Sequence, residues 1–254
     1  MRWLANILLL LQLSCTVDEL PSCNGNGFEG EICKEYQYTF GRYKGVNEYE
    51  YDLNTGLVSK ITTKRKNGSI EGYTSYLYND LGQISSITLK DSKNDLISEK
   101  RIQYNNWGAD ESQIITGQKK SEHYYFYNEN LLCKEVFLSN GEIEWTDSIE
   151  YLAESNEIYR KIRYVENSIS QITYYETFSN NILKQKTTNS NGVIQGTKVT
   201  LYNHNQKKIE ELTYSKENHL VNTVRYYYFD GRLDRIEKFN HSGLEYEELN
   251  YQRF

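Results

Sequence analysis

The sequence predicts an all-β fold: an antiparallel meander of tandem β-hairpins, about 25 residues per repeat, forming an open or partly curled sheet. Two interleaved series of positions and one alternation point to it. Aromatic residues followed by turn formers recur at Tyr51-Asp52, Tyr78-Asn79, Tyr104-Asn105, Tyr127-Asn128, Phe178-Ser179, Tyr202-Asn203 and Phe229-Asp230, with Tyr151-Leu152 in the remaining slot, so the spacing is 23 to 27 residues. Midway between them lie Asn67-Gly68, Lys93-Asn94, Gly117, Asn140-Gly141, Asn167-Ser168, Asn191-Gly192, Asn218-His219 and Ser242-Gly243. Self-similarity at such a period marks stacked supersecondary units. Asn-Gly between alternating strands marks a tight hairpin, because both central residues of a type I′ turn take positive φ.

Along the chain, residues 1–14 read as a signal peptide, 15–30 as a tether and 31–254 as one β-hairpin repeat domain, with a first strand near Ile32 to Tyr43. Each later repeat is two strands and two turns. The ascending strand alternates: in Glu48-Tyr49-Glu50-Tyr51 the tyrosines share one face and the glutamates the other. Ser75 to Tyr78, Tyr124 to Tyr127 and Tyr226 to Phe229 repeat that pattern. Descending strands begin with aliphatics three apart, as in Val58 and Ile61, Ile84 and Ile87, Ile209 and Leu212, and Leu233 and Ile236. That spacing breaks alternation and predicts a bulge at each strand start. Stacked hairpins need only neighbour contacts, which suits a mean hydropathy of -0.75. Tyrosines aligned across strands are expected to form ladders that pack on one another.

Composition narrows the function. Fourteen per cent of residues are aromatic, 24 of them Tyr, and one is Pro, a profile of folded rather than disordered chain. A net charge of -6 leaves no positive field for phosphates, so nucleic acid is not an expected partner.

The leader has one early charge, Arg2, then about ten mostly apolar residues and a small residue before cysteine, an apolar stretch too short to span a bilayer. Leu11-Gln12-Leu13-Ser14-Cys15 resembles the lipobox of bacterial lipoproteins, which implies that Cys15 is lipidated and becomes the first residue of the mature chain. The stretch Thr16-Val17-Asp18-Glu19 resembles the acidic signal that sends some lipoproteins to the outer face of the outer membrane, so an envelope location, surface-exposed or not, is expected. Ordinary signal cleavage is the alternative. Cys23 and Cys33 enclose a glycine-rich loop and are expected to pair as a disulfide in an oxidising compartment. Cys133, within a strand-like run, is expected to be a small buried side chain.

The segments Tyr51 to Val58, Tyr78 to Ile84 and Tyr228 to Leu233 resemble degenerate YD repeats of the RHS type, whose pattern is Tyr-Asp, a glycine turn, then Arg-Leu. The resemblance covers roughly residues 45 to 254 and implies hairpins stacked into curled sheets. MORN-like repeats are the alternative resemblance. About eight repeats are too few to imply a closed, toxin-enclosing shell.

Chemistry is sparse. None of the common nucleophile, zinc or phosphate-loop motifs is present, and no cofactor or metal is expected. His204, His219 and His241 fall in turns, and Asp52, Asp80, Glu129 and Asp230 fit turn positions rather than an acid-base pair. The tyrosine face is the candidate site. Tyr49, Tyr51, Tyr76, Tyr78, Tyr125, Tyr127, Tyr226 and Tyr228 should project from one side and suit stacking on sugars or extended peptides. The function expected is a non-catalytic, lipid-anchored envelope protein binding glycan, peptide or protein through that surface. A toxin-associated or neutralising module and an envelope hydrolase are the alternatives.

Overall fold

The computed structural model describes residues 31–178 and 181–253, so the leader, Cys15 and Cys23 lie outside the described residues. Eighteen strands follow one another: β1 (Ile32–Thr39), β2 (Arg42–Tyr51), β3 (Val58–Arg65), β4 (Ile70–Tyr78), β5 (Ile84–Asp91), β6 (Leu96–Tyr104), β7 (Ala109–Thr116), β8 (Lys119–Asn128) and β9 (Leu131–Ser139). The second half is β10 (Glu142–Tyr151), β11 (Ile158–Val165), β12 (Ser168–Phe178), β13 (Ile182–Asn189), β14 (Ile194–Tyr202), β15 (Lys208–Ser215), β16 (Leu220–Phe229), β17 (Arg232–Asn240) and β18 (Glu245–Arg253). The predicted first strand, Ile32 to Tyr43, is broken at Phe40 and Gly41, both at positive φ, so it is a hairpin rather than one strand.

Every strand pairs antiparallel with the next, and β1 pairs with β18, from Ile32 opposite Arg253 to Tyr38 opposite Glu248. The expectation of an open or partly curled sheet is therefore wrong: the molecule is a closed antiparallel β-barrel. Closure removes the two unpaired edges that an open sheet would expose. Bulges supply curvature at both ends of the strands. The register shifts at Glu50/Tyr51, Leu77/Tyr78, Gln103/Tyr104, Phe126/Tyr127, Glu150/Tyr151, Leu201/Tyr202 and Tyr227/Tyr228, each opposite the start of the next strand. This is where aliphatics three apart predict them.

The turns divide between two rims. The terminal rim holds Ile32, Arg253 and the connections that follow the even strands. The hairpin rim holds the connections that follow the odd strands. At Asn140–Gly141 both residues have positive φ, 51° and 85°, as a type I′ turn requires. Asn67–Gly68 departs from that expectation. Only Gly68 has positive φ, and the Asn67 side-chain oxygen accepts from the Ser69 amide at 3.0 Å, which turns the chain with a longer loop.

Directly opposed residues share a face, so the pairings sort every side chain to one of two walls. One wall carries contacts that skip a strand. Lys161 on β11 reaches past β10 to Glu135 on β9, and His123 on β8 meets Trp145 on β10 with ring centroids 5.3 Å apart. Side chains two strands apart converge only on a concave surface, so this is the inner wall. The outer wall carries ion pairs around its circumference, including Glu50 with Lys60, Glu99 with Arg101, Glu150 with Arg160, Glu210 with Arg225 and Glu237 with Arg235. Among the described residues the buried aliphatics are few, Val46, Val136, Ile149 and Ile162, so no thick core exists. Stability is distributed over strand pairs.

Candidate functional site on the inner wall

All eight tyrosines proposed from the sequence lie on the inner wall, at two depths. Tyr51, Tyr78, Tyr127 and Tyr228 stand at the terminal rim, joined there by Tyr104 and Tyr151. Their hydroxyls donate to backbone carbonyls of the preceding strand pair: Tyr51 to Ile32 at 2.9 Å, Tyr78 to Val58 at 2.8 Å, Tyr104 to Ile84 at 2.8 Å and Tyr127 to Ala109 at 3.0 Å. Tyr151 donates to Leu132 and Tyr228 to Lys208, both at 2.8 Å. Each of these acceptors from Val58 onward sits opposite the previous anchor residue, as Val58 does opposite Tyr51 and Ile84 opposite Tyr78. At the seam, Arg253 takes the tyrosine's place and donates to Leu233 at 2.5 Å. The ladder thus crosses from β18 to β1.

This corrects the expected ring packing. Anchors are two strands apart, about 9 to 10 Å, too far for direct stacking. The phenols bond backbone instead. Phe178 stands on the outer wall, opposed to Ile182, and Thr177 takes the inward place, so no phenol continues the series there. Phe229 is not the anchor of its repeat: Tyr228 faces inward, while Phe229 is exposed beside the two-residue turn Asp230–Gly231.

The deeper tyrosines differ from one another. Tyr125 meets His123 Nδ1 at 3.1 Å, and Tyr226 donates to Glu211 at 2.5 Å. Tyr49 and Tyr76 have no hydrogen-bond partner for their hydroxyls among the described residues. Burial, the Glu35 carboxylate and the phenols of Tyr251 and Tyr76 push the Tyr49 phenol well above its ordinary pKa, and burial and Glu35 do the same for Tyr251. These rings stay neutral. Beside them runs a polar chain: Gln37 and Asn47 donate to Glu35 at 3.2 and 2.8 Å, and Thr63 donates to Asn47 at 2.8 Å. Half-buried aromatic faces with free hydroxyls, next to amide and carboxylate groups, can stack on and hydrogen-bond a polyhydroxylated ligand.

A second inner cluster was not singled out by sequence. Asp147 on β10 is fully buried and takes a bidentate pair of bonds from Arg163, both 2.8 Å, plus Lys161 at 2.9 Å. Burial pushes its carboxyl up, yet the Arg163 and Lys161 bonds outweigh it and hold the pKa below the usual range. Trp145 is covered on one side by Phe137, centroids 5.4 Å apart, and by the Arg163 guanidinium at 4.0 Å, so its faces are occupied. A third group surrounds Glu211, whose pKa burial raises but Lys198, Tyr226 and Lys208 bring down to about 2. Alternation held the signal for Asp147: counting back in twos from the anchor Tyr151, through Ile149, puts this acid on the tyrosine face.

The remaining candidates fall where expected or apart. Asp52 accepts from Asn54 and Thr55 in its own turn, which lowers its pKa, and Glu129 and Asp230 occupy positive-φ turn positions. His204, His219 and His241 lie in separate connections. Among the described residues no group of His, Cys, Asp and Glu is placed to hold a metal ion. Cys33 is buried and disulfide-bonded, and its expected partner Cys23 lies outside the described residues. Cys133 is free and only half-buried, its thiol 3.3 Å from the Phe126 carbonyl, not the buried side chain expected.

No family model matches the chain, and no curated protein matches it. Among solved structures, a porin-like protein from Bacteroides uniformis is 10% identical, covering 91% of this chain and 99% of its own, with a TM-score of 0.49. A porin-like protein from Bacteroides vulgatus is 12% identical, covering 88% and 98%, at 0.41. The TcdB2-TccC3 structure lacking its hypervariable C-terminal region is 12% identical, covering 84% of this chain and 15% of its own, at 0.37. At these scores nothing is carried over, and the functional reading rests on this chain's own residues.

Proposed function

We propose that this chain is a non-catalytic, lipid-anchored envelope protein whose barrel stands in water and binds a glycan on its inner wall. The observation that carries the reading is the pair Tyr49 and Tyr76, phenols without partners among the described residues, beside the Glu35–Asn47 chain. A transmembrane barrel needs an outward apolar band, and Lys or Arg at its midplane costs about 2 to 4 kcal/mol each. Ion pairs such as Glu150 with Arg160 and Glu210 with Arg225 occupy the outer wall instead. Attachment through Cys15 is the alternative route to the membrane, and it is supported by the lipobox-like leader.

A glycan array probed with the full chain tests the reading. Binding is expected to fall at least tenfold when Tyr49→Ala and Tyr76→Ala are combined, and to survive Tyr78→Phe, which changes only the rim ladder. No glycan bound by the folded wild type, or binding indifferent to Tyr49 and Tyr76, overturns it.

A further inference from the structure

We infer that the glycan carries an isolated acidic group, a uronate carboxylate or a sulfate ester, which the Lys100 ammonium receives on the inner wall. The inference deepens the proposed glycan reading and rests on it. Register places Lys100. On β4, β5, β6 and β7, Tyr76, Ile87, Lys100 and Ile114 are opposed in one row, so Lys100 shares the wall of the Tyr76 phenol, two strands and about 9 to 10 Å away. Its surroundings are aliphatic. Leu89 and Ile102 flank the row on the same wall, and Leu89 and Ile114 are each 39% exposed, so the lumen beside Lys100 is open.

Other cations along this wall are committed. Lys161 and Arg163 hold Asp147, Lys198 and Lys208 hold Glu211, and Lys238 holds Glu247. Lys100 has neither an ion pair nor a hydrogen bond among the described residues. Burial, with Lys161 and Lys100 adding to it against Glu135, holds the His123 imidazole below its ordinary pKa, so His123 brings no second charge. An ammonium without a counter-ion over an aliphatic floor attracts an anion more strongly than it would in bulk water, because low-dielectric walls weaken screening. The ligand is sparsely charged rather than a polyanion. Glu35, beside Tyr49, accepts from Gln37 and Asn47 but pairs with no cation among the described residues. It lies five strands from Lys100, about 24 Å along the wall, beyond the roughly 8 Å over which exposed charges act at physiological salt. One acidic sugar at Lys100 is undisturbed by it, whereas a chain charged at every sugar would set negative groups beside Glu35.

The test probes the full chain on an array of oligosaccharides in which each acidic member, uronate or sulfated, is printed beside its carboxyl-reduced or desulfated form. The acidic form is expected to bind at least tenfold more tightly, and the preference should shrink as salt rises from about 50 to about 500 mM. Lys100→Gln should bring the two forms within twofold of each other, and Lys100→Arg should keep the preference. Thermal unfolding of both variants, expected to match wild type, separates a lost charge from a lost fold. Whether the uronate or the sulfated members respond identifies the acid. Acidic and neutral forms bound alike through Tyr49 and Tyr76, or a preference that survives Lys100→Gln, overturns the inference and leaves the glycan reading standing. Tightest binding to chains charged at every sugar overturns it as well. No glycan bound at all sinks the glycan reading, and this inference with it.

Discussion

The hydroxyl of Tyr78 donates to the carbonyl of Val58 at 2.8 Å, and Val58 is the direct partner of Tyr51, the anchor of the repeat before. Each repeat with such an anchor is therefore pinned to its predecessor by a side chain as well as by the strand ladder. A neutral hydrogen bond of this kind contributes about 0.5 to 1.5 kcal/mol net. Tyr78→Phe is expected to lower stability by about 1 kcal/mol in urea denaturation without changing the slope. Tyr202→Phe, at an anchor whose hydroxyl has no partner among the described residues, should change it by less than about half of that.

Asp147 is the fully buried charge of the inner wall, shared by Arg163 and Lys161. Removing Asp147 deprives Arg163 and Lys161 of their shared carboxylate, but their side chains are 35 and 27% exposed and Lys161 keeps Glu135, so the loss is that of charge-assisted hydrogen bonds rather than of a fully buried charge. Asp147→Ala is expected to destabilise by about 1.5 to 3 kcal/mol in the same denaturation experiment, and Glu150→Ala, on the outer wall in an exposed pair with Arg160, by less.

Glu211 sets a pH dependence. Its folded pKa, about 2, lies below the 4.5 of the unfolded chain, so the stability it contributes is fully present above that unfolded value and is lost as pH falls toward 2. Unfolding midpoints measured between pH 6 and pH 2 should fall across this window, less steeply in Glu211→Gln. An identical slope in the variant would contradict the role given to Lys198, Tyr226 and Lys208.

Gly72 marks a close approach of two strands at the hairpin rim. A Cβ there would lie 2.6 Å from the Lys90 carbonyl oxygen, a backbone atom that cannot rotate away. Gly72→Ala is expected to cost about 1 to 3 kcal/mol, as overpacking does, whereas Gly196→Ala, with its nearest backbone oxygen at 3.1 Å, should cost less. Thermal unfolding of the two variants compares them directly.

The hairpin period and the bulges were legible because turn chemistry and alternation are local. Tyr51 and Tyr78 announce them through Asp52, Gly56, Asn79 and Gly82. Closure was not, since it depends on twist summed over many bulges and on Tyr38 finding Glu248 far along the chain. The anchor at Tyr228 was misplaced by one residue, because the turn after β16 has two residues where Tyr78 is followed by a longer connection, and Asp230 drew the alignment onto Phe229. The tyrosine face was identified from alternation, but not its inward direction or its division of labour. Whether a phenol bonds a carbonyl, as Tyr127 does, or stands free, as Tyr49 does, is set by which backbone lies opposite.

Closure of the ring is tested most directly at its seam. Tyr38 and Glu248 are opposed across β1 and β18 on the outer wall, and opposed Cβ atoms lie about 4.5 to 5.5 Å apart, near disulfide reach. Non-reducing mass spectrometry of the oxidised Tyr38→Cys, Glu248→Cys double variant should show the two peptides joined in the monomer, as efficiently as in a Glu50→Cys, Lys60→Cys hairpin control. A control that joins while the seam pair stays open would mean that the first and last strands do not meet.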